Sequence, residues 1–135
     1  MRLYPLMAAA ALIAATGLPA LAGDAEKGAK EFNKCKSCHA ITDPAGKEVI
    51  KGGKVGPDLW GVIGRPAAAV DGFAYGEGLK KAAAAGLVWD EALIAEYVKD
   101  PTKFIDTHGG EGKSKMTFKL AKGGEDVAAW LATMK

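Results

Sequence analysis

The sequence predicts an all-α domain in which several short helices are separated by long loops. Apolar residues recur at helical spacing in two segments, residues 90 to 100 and 124 to 135. No segment shows the convincing apolar–polar alternation that is typical of a strand. Residues 42 to 72 hold glycine and proline turn signals in quick succession. A structureless stretch of this length is unusual in a compact domain unless it wraps around something.

The first 22 residues are predicted to be a cleaved secretory signal peptide. Arg2 precedes an apolar run over residues 6 to 16, and Ala20-Leu21-Ala22 is a small-x-small cleavage pattern. The apolar run is shorter than the about 20 residues that a spanning helix needs. We therefore expect residues 23 to 135 to form one soluble, exported domain, with an uncleaved membrane anchor as the alternative.

Two helices are predicted in the first half of this domain. Asp24 is a suitable N-cap for a first helix that runs to about Lys34. Gly28 lies inside this helix, where it costs about 1 kcal/mol relative to alanine, and suggests that another helix crosses closely, with simple tolerance of a weak position as the alternative. A second, short helix is expected over residues 76 to 85, ending near Gly86.

Two further helices are predicted in the second half. The third runs from the Asp90 cap to about Asp100 and has an apolar stripe of Leu93, Ile94, Tyr97 and Val98. Asp100-Pro101 should end it, because the residue before proline avoids helical dihedrals, and a loop should lead to Met116. The last helix is expected from about Gly124 to the C-terminus, with an apolar face of Val127, Trp130, Leu131 and Met134.

The most informative motif is Cys35-Lys36-Ser37-Cys38-His39, which uses both cysteines and one of the two histidines. C-x-x-C-H is the attachment signature of c-type haem. The two thiols add across the haem vinyl groups, and the adjacent imidazole is held under the iron. A redox disulfide, a structural bridge and half of a zinc site are the alternatives. A zinc site needs about four ligands, and only His108 is left to contribute, while a thioredoxin-like motif needs a βαβ pattern that the sequence lacks.

The ligand on the other face of the iron decides the function. A thioether or a second imidazole closes the iron and leaves electron transfer, whereas an open position permits catalysis or gas binding. Met116 lies in a polar loop where a thioether has no local packing reason to be. Met134 belongs to the apolar face of the last helix, and His108 reads as an exposed loop tip. Met116 is therefore the predicted ligand.

In the order and spacing of these residues, together with Gly56-Pro57, Trp89 and Tyr97, the chain resembles class I c-type cytochromes, most closely the bacterial cytochrome c2 subgroup. The likeness covers residues 23 to 135 and implies the cytochrome c fold, with short helices and loops wrapped around one covalently bound haem. It implies that Cys35 and Cys38 attach the haem and that His39 and Met116 ligate its iron. Further roles are implied for Pro57 as acceptor from the His39 ring, for Tyr97 as a partner of the ligand sulfur, and for Arg65, Tyr75 and Trp89 at the haem propionates.

The resemblance also implies a packing and some departures. Gly28, Phe32, Val127 and Trp130 match the crossing of the first and last helices. Leu79 falls where mitochondrial relatives carry an asparagine linked to a buried water, so that water network is in doubt. The loop from Thr107 to Lys113 is longer than in short family members and contains three glycines, which predicts a more mobile Met116 side.

The function implied is a soluble periplasmic electron carrier and not an enzyme. By similarity, the donor is a cytochrome bc complex and the acceptor a photosynthetic reaction centre or a terminal oxidase or reductase. Docking is expected to be transient and guided by lysines, with no nucleic acid, no stable membrane insertion and a monomeric chain. The candidate lysines are Lys34, Lys36, Lys113, Lys115, Lys119 and Lys122. A haem enzyme or gas sensor with a labile sixth iron ligand is the alternative.

Overall fold

A computed structural model describes residues 23–135, so the predicted signal peptide lies outside the described residues. The helices are α1 (Ala25–Glu31), α2 (Glu77–Ala84), α3 (Glu91–Lys99), α4 (Pro101–Thr107) and α5 (Gly124–Leu131), and the strands are β1 (Ile41–Thr42) and β2 (Glu48–Ile50). Among residues 23–135, no helix is long and apolar enough to cross a bilayer. The predicted all-α class is confirmed, with one small hairpin in addition.

The crossing of α1 and α5 forms one end of the core. The Asp24 carboxylate accepts hydrogen bonds from the amides of the first turn of α1, as predicted. A Cβ on Gly28 would clash with the Asp126 carbonyl and approach the Trp130 Cβ to 2.9 Å. The Phe32 and Trp130 rings lie 4.8 Å apart. The weak helix former Gly28 therefore permits the close helix contact that the sequence suggested.

The helix α4 was not predicted, and the expectation of a loop after Asp100-Pro101 was wrong. Asp100 adopts an extended conformation that ends α3, but its side chain accepts a hydrogen bond from the Lys103 amide at 3.1 Å and caps a new helix. Proline is well tolerated in the first turn of a helix, where its missing N–H would have no intrahelical partner. Pro101 therefore both stops one helix and begins the next.

The hairpin of β1 and β2 was also missed. The strands pair antiparallel through Ile41 with Ile50 and Thr42 with Glu48, with an irregular register between the pairs. The Asp43 carboxylate accepts from the amides of Ala45 and Lys47 and closes the turn. Strands of two and three residues are too short for alternation to be visible in the sequence.

The remaining elements lie close to their predicted positions. Residues 51 to 72 contain no helix or named strand, and the Trp89 amide donates to the Arg65 carbonyl at 2.9 Å, which pins this loop beside α3. The last helix ends at Leu131, before the C-terminus. Beyond it, the Met134 carbonyl accepts from the Gly61 amide at 2.7 Å, which ties the end of the chain to the long loop.

Candidate haem site

A cavity of about 430 Å³ lies between the loops and the helices. Its wall contains every site residue predicted from the sequence: Cys35, Cys38, His39, Pro57, Arg65, Tyr75, Trp89, Tyr97 and Met116. These residues span 82 positions from Cys35 to Met116 and come from both halves of the chain. The fold therefore brings together groups that are far apart in sequence.

The His39 wall is held mainly by backbone contacts. The His39 Nδ1 lies 2.8 Å from the Pro57 carbonyl oxygen. Because a carbonyl can only accept, the ring proton is on Nδ1 and Nε2 keeps its lone pair. Burial lowers the pKa of His39, although the hydrogen bond to Pro57 opposes the change. The neutral imidazole is the form that binds metals.

Glycines let the chain approach this imidazole closely. A Cβ on Gly56 would lie 2.6 Å from the His39 Nδ1, well inside van der Waals contact. The Gly56 amide donates to the Cys38 carbonyl at 2.8 Å, and the Gly53 amide donates to the Lys36 carbonyl at 2.9 Å. The loop after the cysteine motif is thus hydrogen-bonded to the motif, and at Gly56 it lies against the His39 ring.

The two cysteines are half-buried and are not joined to each other. The chain reverses between them, because the amides of Cys38 and His39 both donate to the Cys35 carbonyl. Burial raises the pKa of the Cys35 thiol, and the neighbouring Cys38 and Glu31 add to the rise. Both thiols line the cavity on the same side as His39.

The Arg65 end of the cavity offers unused hydrogen-bond donors. The Arg65 Nη1 and Nη2 donate to the carbonyls of Trp60 and Asp58, at 3.0 and 3.1 Å, but its buried Nε has no partner. The Tyr75 hydroxyl accepts from the Val70 amide at 3.0 Å, which leaves its own proton free to donate. A buried donor without a partner costs about 1–3 kcal/mol, so this end of the cavity suits an anionic group.

The Met116 wall is built differently. The Met116 amide donates to the Ser114 hydroxyl at 3.0 Å, and the Ser114 amide donates to the Thr102 hydroxyl at 3.0 Å. The Lys115 ammonium donates to the Ala74 carbonyl at 3.0 Å. Side chains rather than backbone ladders therefore hold the segment that carries the thioether.

Trp89 and Tyr97 belong both to the core and to the cavity wall. Their rings meet edge to face at 5.1 Å, and each contacts Phe104 at 5.4 Å. The Tyr97 hydroxyl lies 3.3 Å from the Ser114 hydroxyl. Burial raises the pKa of Tyr97, with the Ser114 hydrogen bond opposing. Tyr97 is thus next to the segment that carries Met116.

His108 is not the exposed loop tip that the sequence indicated. Its ring stacks on Phe104 at 4.0 Å, and its Nε2 lies 3.0 Å from a Glu96 carboxylate oxygen. The unpredicted helix α4 explains the difference, because it ends at Thr107 and presents His108 to α3. His108 is not among the residues that line the cavity. No group of three or more His, Cys, Asp or Glu side chains in residues 23–135 could hold a metal ion.

Several lining residues had no distinguishing signal in the sequence. Val55 and Phe118 line the cavity but expose 77 % and 43 % of their surfaces. The charged lining residues within the described chain are all cationic: Lys34, Arg65, Lys113 and Lys115. Of the six lysines predicted as docking candidates, Lys34, Lys113 and Lys115 thus line the cavity, whereas nothing in the sequence indicated the apolar Val55 and Phe118.

The wall residues fit a haem. Two thiols and a neutral imidazole come from residues 35 to 39, and the thioether of Met116 comes from a separate segment of the cavity lining. The free donors of Arg65 and Tyr75 suit carboxylates such as propionates. The rest of the wall is mostly apolar, including Val62, Leu79, Ile94, Val127 and Leu131.

Known proteins similar to this chain are bacterial cytochromes. Cytochrome c2 of Rhodobacter capsulatus is 53 % identical over 127 residues, which cover 93 % of this chain and 91 % of that protein. Cytochrome c-550 of Paracoccus denitrificans is 50 % identical over 138 aligned positions, covering 96 % of this chain and 85 % of that protein. No protein-family model matches the chain.

Solved structures agree with this likeness. Cytochrome c2 from Paracoccus denitrificans superposes with a TM-score of 0.80 at 50 % identity, covering 82 % of this chain and 95 % of that one. Cytochrome c2 from Rhodobacter capsulatus gives 0.79 at 52 % identity, with 82 % and 97 % covered. The similarity thus extends over almost the whole length of both solved proteins.

Proposed function

Because the chain belongs to the bacterial cytochrome c2 subgroup of class I c-type cytochromes, electron carriers with one covalently bound haem c, we propose specific roles for its cavity residues. Cys35 and Cys38 would form the thioether links, and His39 and Met116 would hold the iron. When bound, the haem supplies an iron that alternates between the ferrous and ferric states. The residues themselves contribute attachment, orientation and exclusion of water.

His39 binds the iron through Nε2. The proposal is supported by the hydrogen bond from its Nδ1 to Pro57, which fixes both the tautomer and the ring plane. Such a bond also makes the imidazole a stronger donor. The Gly56 backbone lies so close to the ring that an added Cβ would overlap it.

Met116 would be the second iron ligand. Its segment is held by Tyr97 through Ser114, and the role of Tyr97 as a partner of the Met116 sulfur stays a prediction. A soft thioether ligand and burial favour the ferrous state and raise the reduction potential. Arg65 and Tyr75 bind the propionates with their free donors, and Trp89 packs beside them. None of these proposed roles involves chemistry on a substrate, in keeping with a carrier rather than an enzyme.

The single observation that carries this proposal is that both cysteines, His39 and Met116 line one cavity. The oxidised protein should show a near-infrared methionine-to-iron charge-transfer band. Met116→Ala should abolish the band, while Met134→Leu, which changes a methionine packed against the core, should retain it. A band that survives Met116→Ala would refute the ligand assignment.

Carbon monoxide tests the alternative of a haem enzyme or gas sensor. The ferrous wild-type protein should resist carbon monoxide, and Met116→Ala should bind it stoichiometrically. Rapid binding by the wild type would refute the closed iron that an electron carrier requires.

The proposed partners are membrane redox complexes, with a cytochrome bc complex as donor and a reaction centre or terminal oxidase or reductase as acceptor. The apolar rim of Val55 and Phe118 and the nearby Lys34, Lys113 and Lys115 support brief docking to an acidic surface. Transfer to such a complex should therefore slow as ionic strength rises.

Lys113 gives the sharper test of this docking face. Lys113→Ala should lower the second-order rate of electron transfer about threefold or more at low salt, because steering charges act mainly on association. Lys99→Ala removes an exposed lysine that does not line the cavity and should have little effect. Equal effects of the two variants would refute a docking face at the cavity mouth.

The proposed location is the periplasm, with residues 1 to 22 removed. Mass spectrometry of the exported protein should find Gly23 at the amino terminus. A retained leader would instead support a membrane-tethered form.

A further inference from the structure

The segment that carries Met116 is attached at both ends to one short junction. We call residues 114 to 120 the strap and residues 98 to 102, where α3 meets α4, the junction. The Ser114 amide donates to the Thr102 hydroxyl at 3.0 Å, and the Leu120 amide donates to the Val98 carbonyl at 2.7 Å. Met116 lies between these two attachments.

The strap has few other ways to hold its shape. Between Gly110 and Leu120, no amide of the described chain donates to a backbone carbonyl. Gly112 has a φ of +81°, and a Cβ added to it would meet no atom within 4 Å, so it adds little support. Apart from the bond of Leu120 to Val98 at its end, the strap therefore depends on hydrogen bonds that involve side chains.

Thr102 begins a chain of hydrogen bonds that ends at Met116. It fixes the backbone of Ser114, which is only 8 % exposed. The Ser114 hydroxyl in turn accepts from the Met116 amide at 3.0 Å and lies 3.3 Å from the Tyr97 hydroxyl. Loss of the Thr102 acceptor would leave the Ser114 amide without a hydrogen-bond partner. Ser114, which holds the Met116 amide, would then no longer be attached to the junction.

We propose that Thr102 is a positioning residue that keeps Met116 on the iron by pinning Ser114 to the junction. The inference rests on the proposed role of Met116 as a ligand. Thr102 touches neither the iron nor Met116 in this scheme and acts only through Ser114. Its loss should therefore favour opening of the strap more than unfolding of the whole domain.

Cyanide binding to the ferric protein measures this opening, because cyanide can bind only when Met116 leaves. Thr102→Val keeps the shape of the side chain but removes the acceptor, and should speed cyanide binding about tenfold, since an unsatisfied buried amide is costly. Thr102→Ser keeps the acceptor and should behave like the wild type. Thr107→Val is the matched control, because the Thr107 hydroxyl donates to the Lys103 carbonyl within the same helix.

Two outcomes would overturn the inference: a wild-type cyanide rate in Thr102→Val, or an equal acceleration in Thr107→Val. If Thr102→Val does not accumulate, amide hydrogen exchange of the wild type replaces it. The Ser114 amide should then exchange at least about a hundredfold more slowly than an unstructured amide, and an unprotected Ser114 would overturn the inference. A wild-type protein without the near-infrared band would refute the proposed function as well, whereas a normal band with an unresponsive Thr102→Val would refute this inference alone.

Discussion

The cavity wall around His39 is fixed by backbone contacts within one stretch of chain, whereas the wall around Met116 is fixed by side chains from distant elements. On the His39 side, the Gly53 and Gly56 amides bond to the cysteine motif itself. On the Met116 side, one backbone bond from Leu120 to Val98 holds the end of the strap, and the rest is held by Thr102 and by the Lys115 contact with Ala74. Local backbone contacts give a rigid support, and long-range side-chain contacts give one that can open.

The largest expected effect comes from removing each proposed ligand in turn. His39→Ala breaks the attachment motif and should prevent accumulation of protein with covalent haem. Met116→Ala should leave covalent haem in place, because the thioether links lie on the other side. Mass spectrometry of the exported proteins measures the attached haem directly. Equal loss of haem in both variants would contradict the comparison.

The next largest effect is expected from alanine substitution of one glycine near His39 and one near the Met116 segment. Gly56→Ala places a methyl group against the His39 ring and should cost about 3 kcal/mol or more in the free energy of unfolding, as severe overpacking does. Gly112→Ala meets no neighbouring atom and only strains a positive φ, at about 1–2 kcal/mol. Denaturant titration of both variants measures the difference. A Gly112→Ala variant that is less stable than Gly56→Ala would contradict the assignment of the rigid support to the His39 side.

A pair of tyrosine variants sharpens the comparison. Tyr97→Phe removes the hydrogen bond with Ser114, and Tyr75→Phe removes the one with Val70 together with the proposed one to a propionate, so each should lower the free energy of unfolding by about 1 kcal/mol or more. Only Tyr97→Phe should also speed cyanide binding to the ferric protein, because the Tyr97 hydroxyl bonds to Ser114 of the strap whereas the Tyr75 hydroxyl bonds to Val70. Acceleration by Tyr75→Phe alone would show that opening occurs elsewhere.

The smallest expected effect is a change in the free energy of unfolding at acidic pH. Hydrogen bonds from the Lys103 amide and from Lys119 lower the pKa of Asp100 below its ordinary value of 3.8. A carboxyl with a lowered folded pKa contributes stability above its unfolded pKa and loses it as pH falls through the folded pKa. The stability advantage of the wild type over Asp100→Asn should therefore shrink below pH 3.8, in matched denaturant titrations. An advantage that grows on acidification would contradict this sign.

The same difference between the two sides explains what the sequence could predict. The His39 side is encoded locally by the cysteine motif and the Gly56-Pro57 pair that follows. On the Met116 side, Met116 itself stood out as an apolar residue in a polar loop, but its supports did not. Thr102 lies in α4, which was missed because Pro101 was interpreted only as a helix stop, and His108 was misplaced for the same reason.

Glycines show a second limit of sequence reasoning. The three glycines of the loop from Thr107 to Lys113 predict mobility. Gly110 nevertheless lies against the Gly78 carbonyl and the Ile105 side chain, so tightly that a Cβ would clash with both. Glycine is needed there for close packing. Sequence alone does not distinguish a glycine that permits motion from one that permits contact.

X-ray absorption at the iron edge of the ferric protein tests the central claim most directly. The account predicts one sulfur ligand and five nitrogen ligands in the wild type and in Met134→Leu, and loss of the sulfur in Met116→Ala. An iron without a sulfur ligand in the wild type, or one that keeps its sulfur in Met116→Ala, would contradict it.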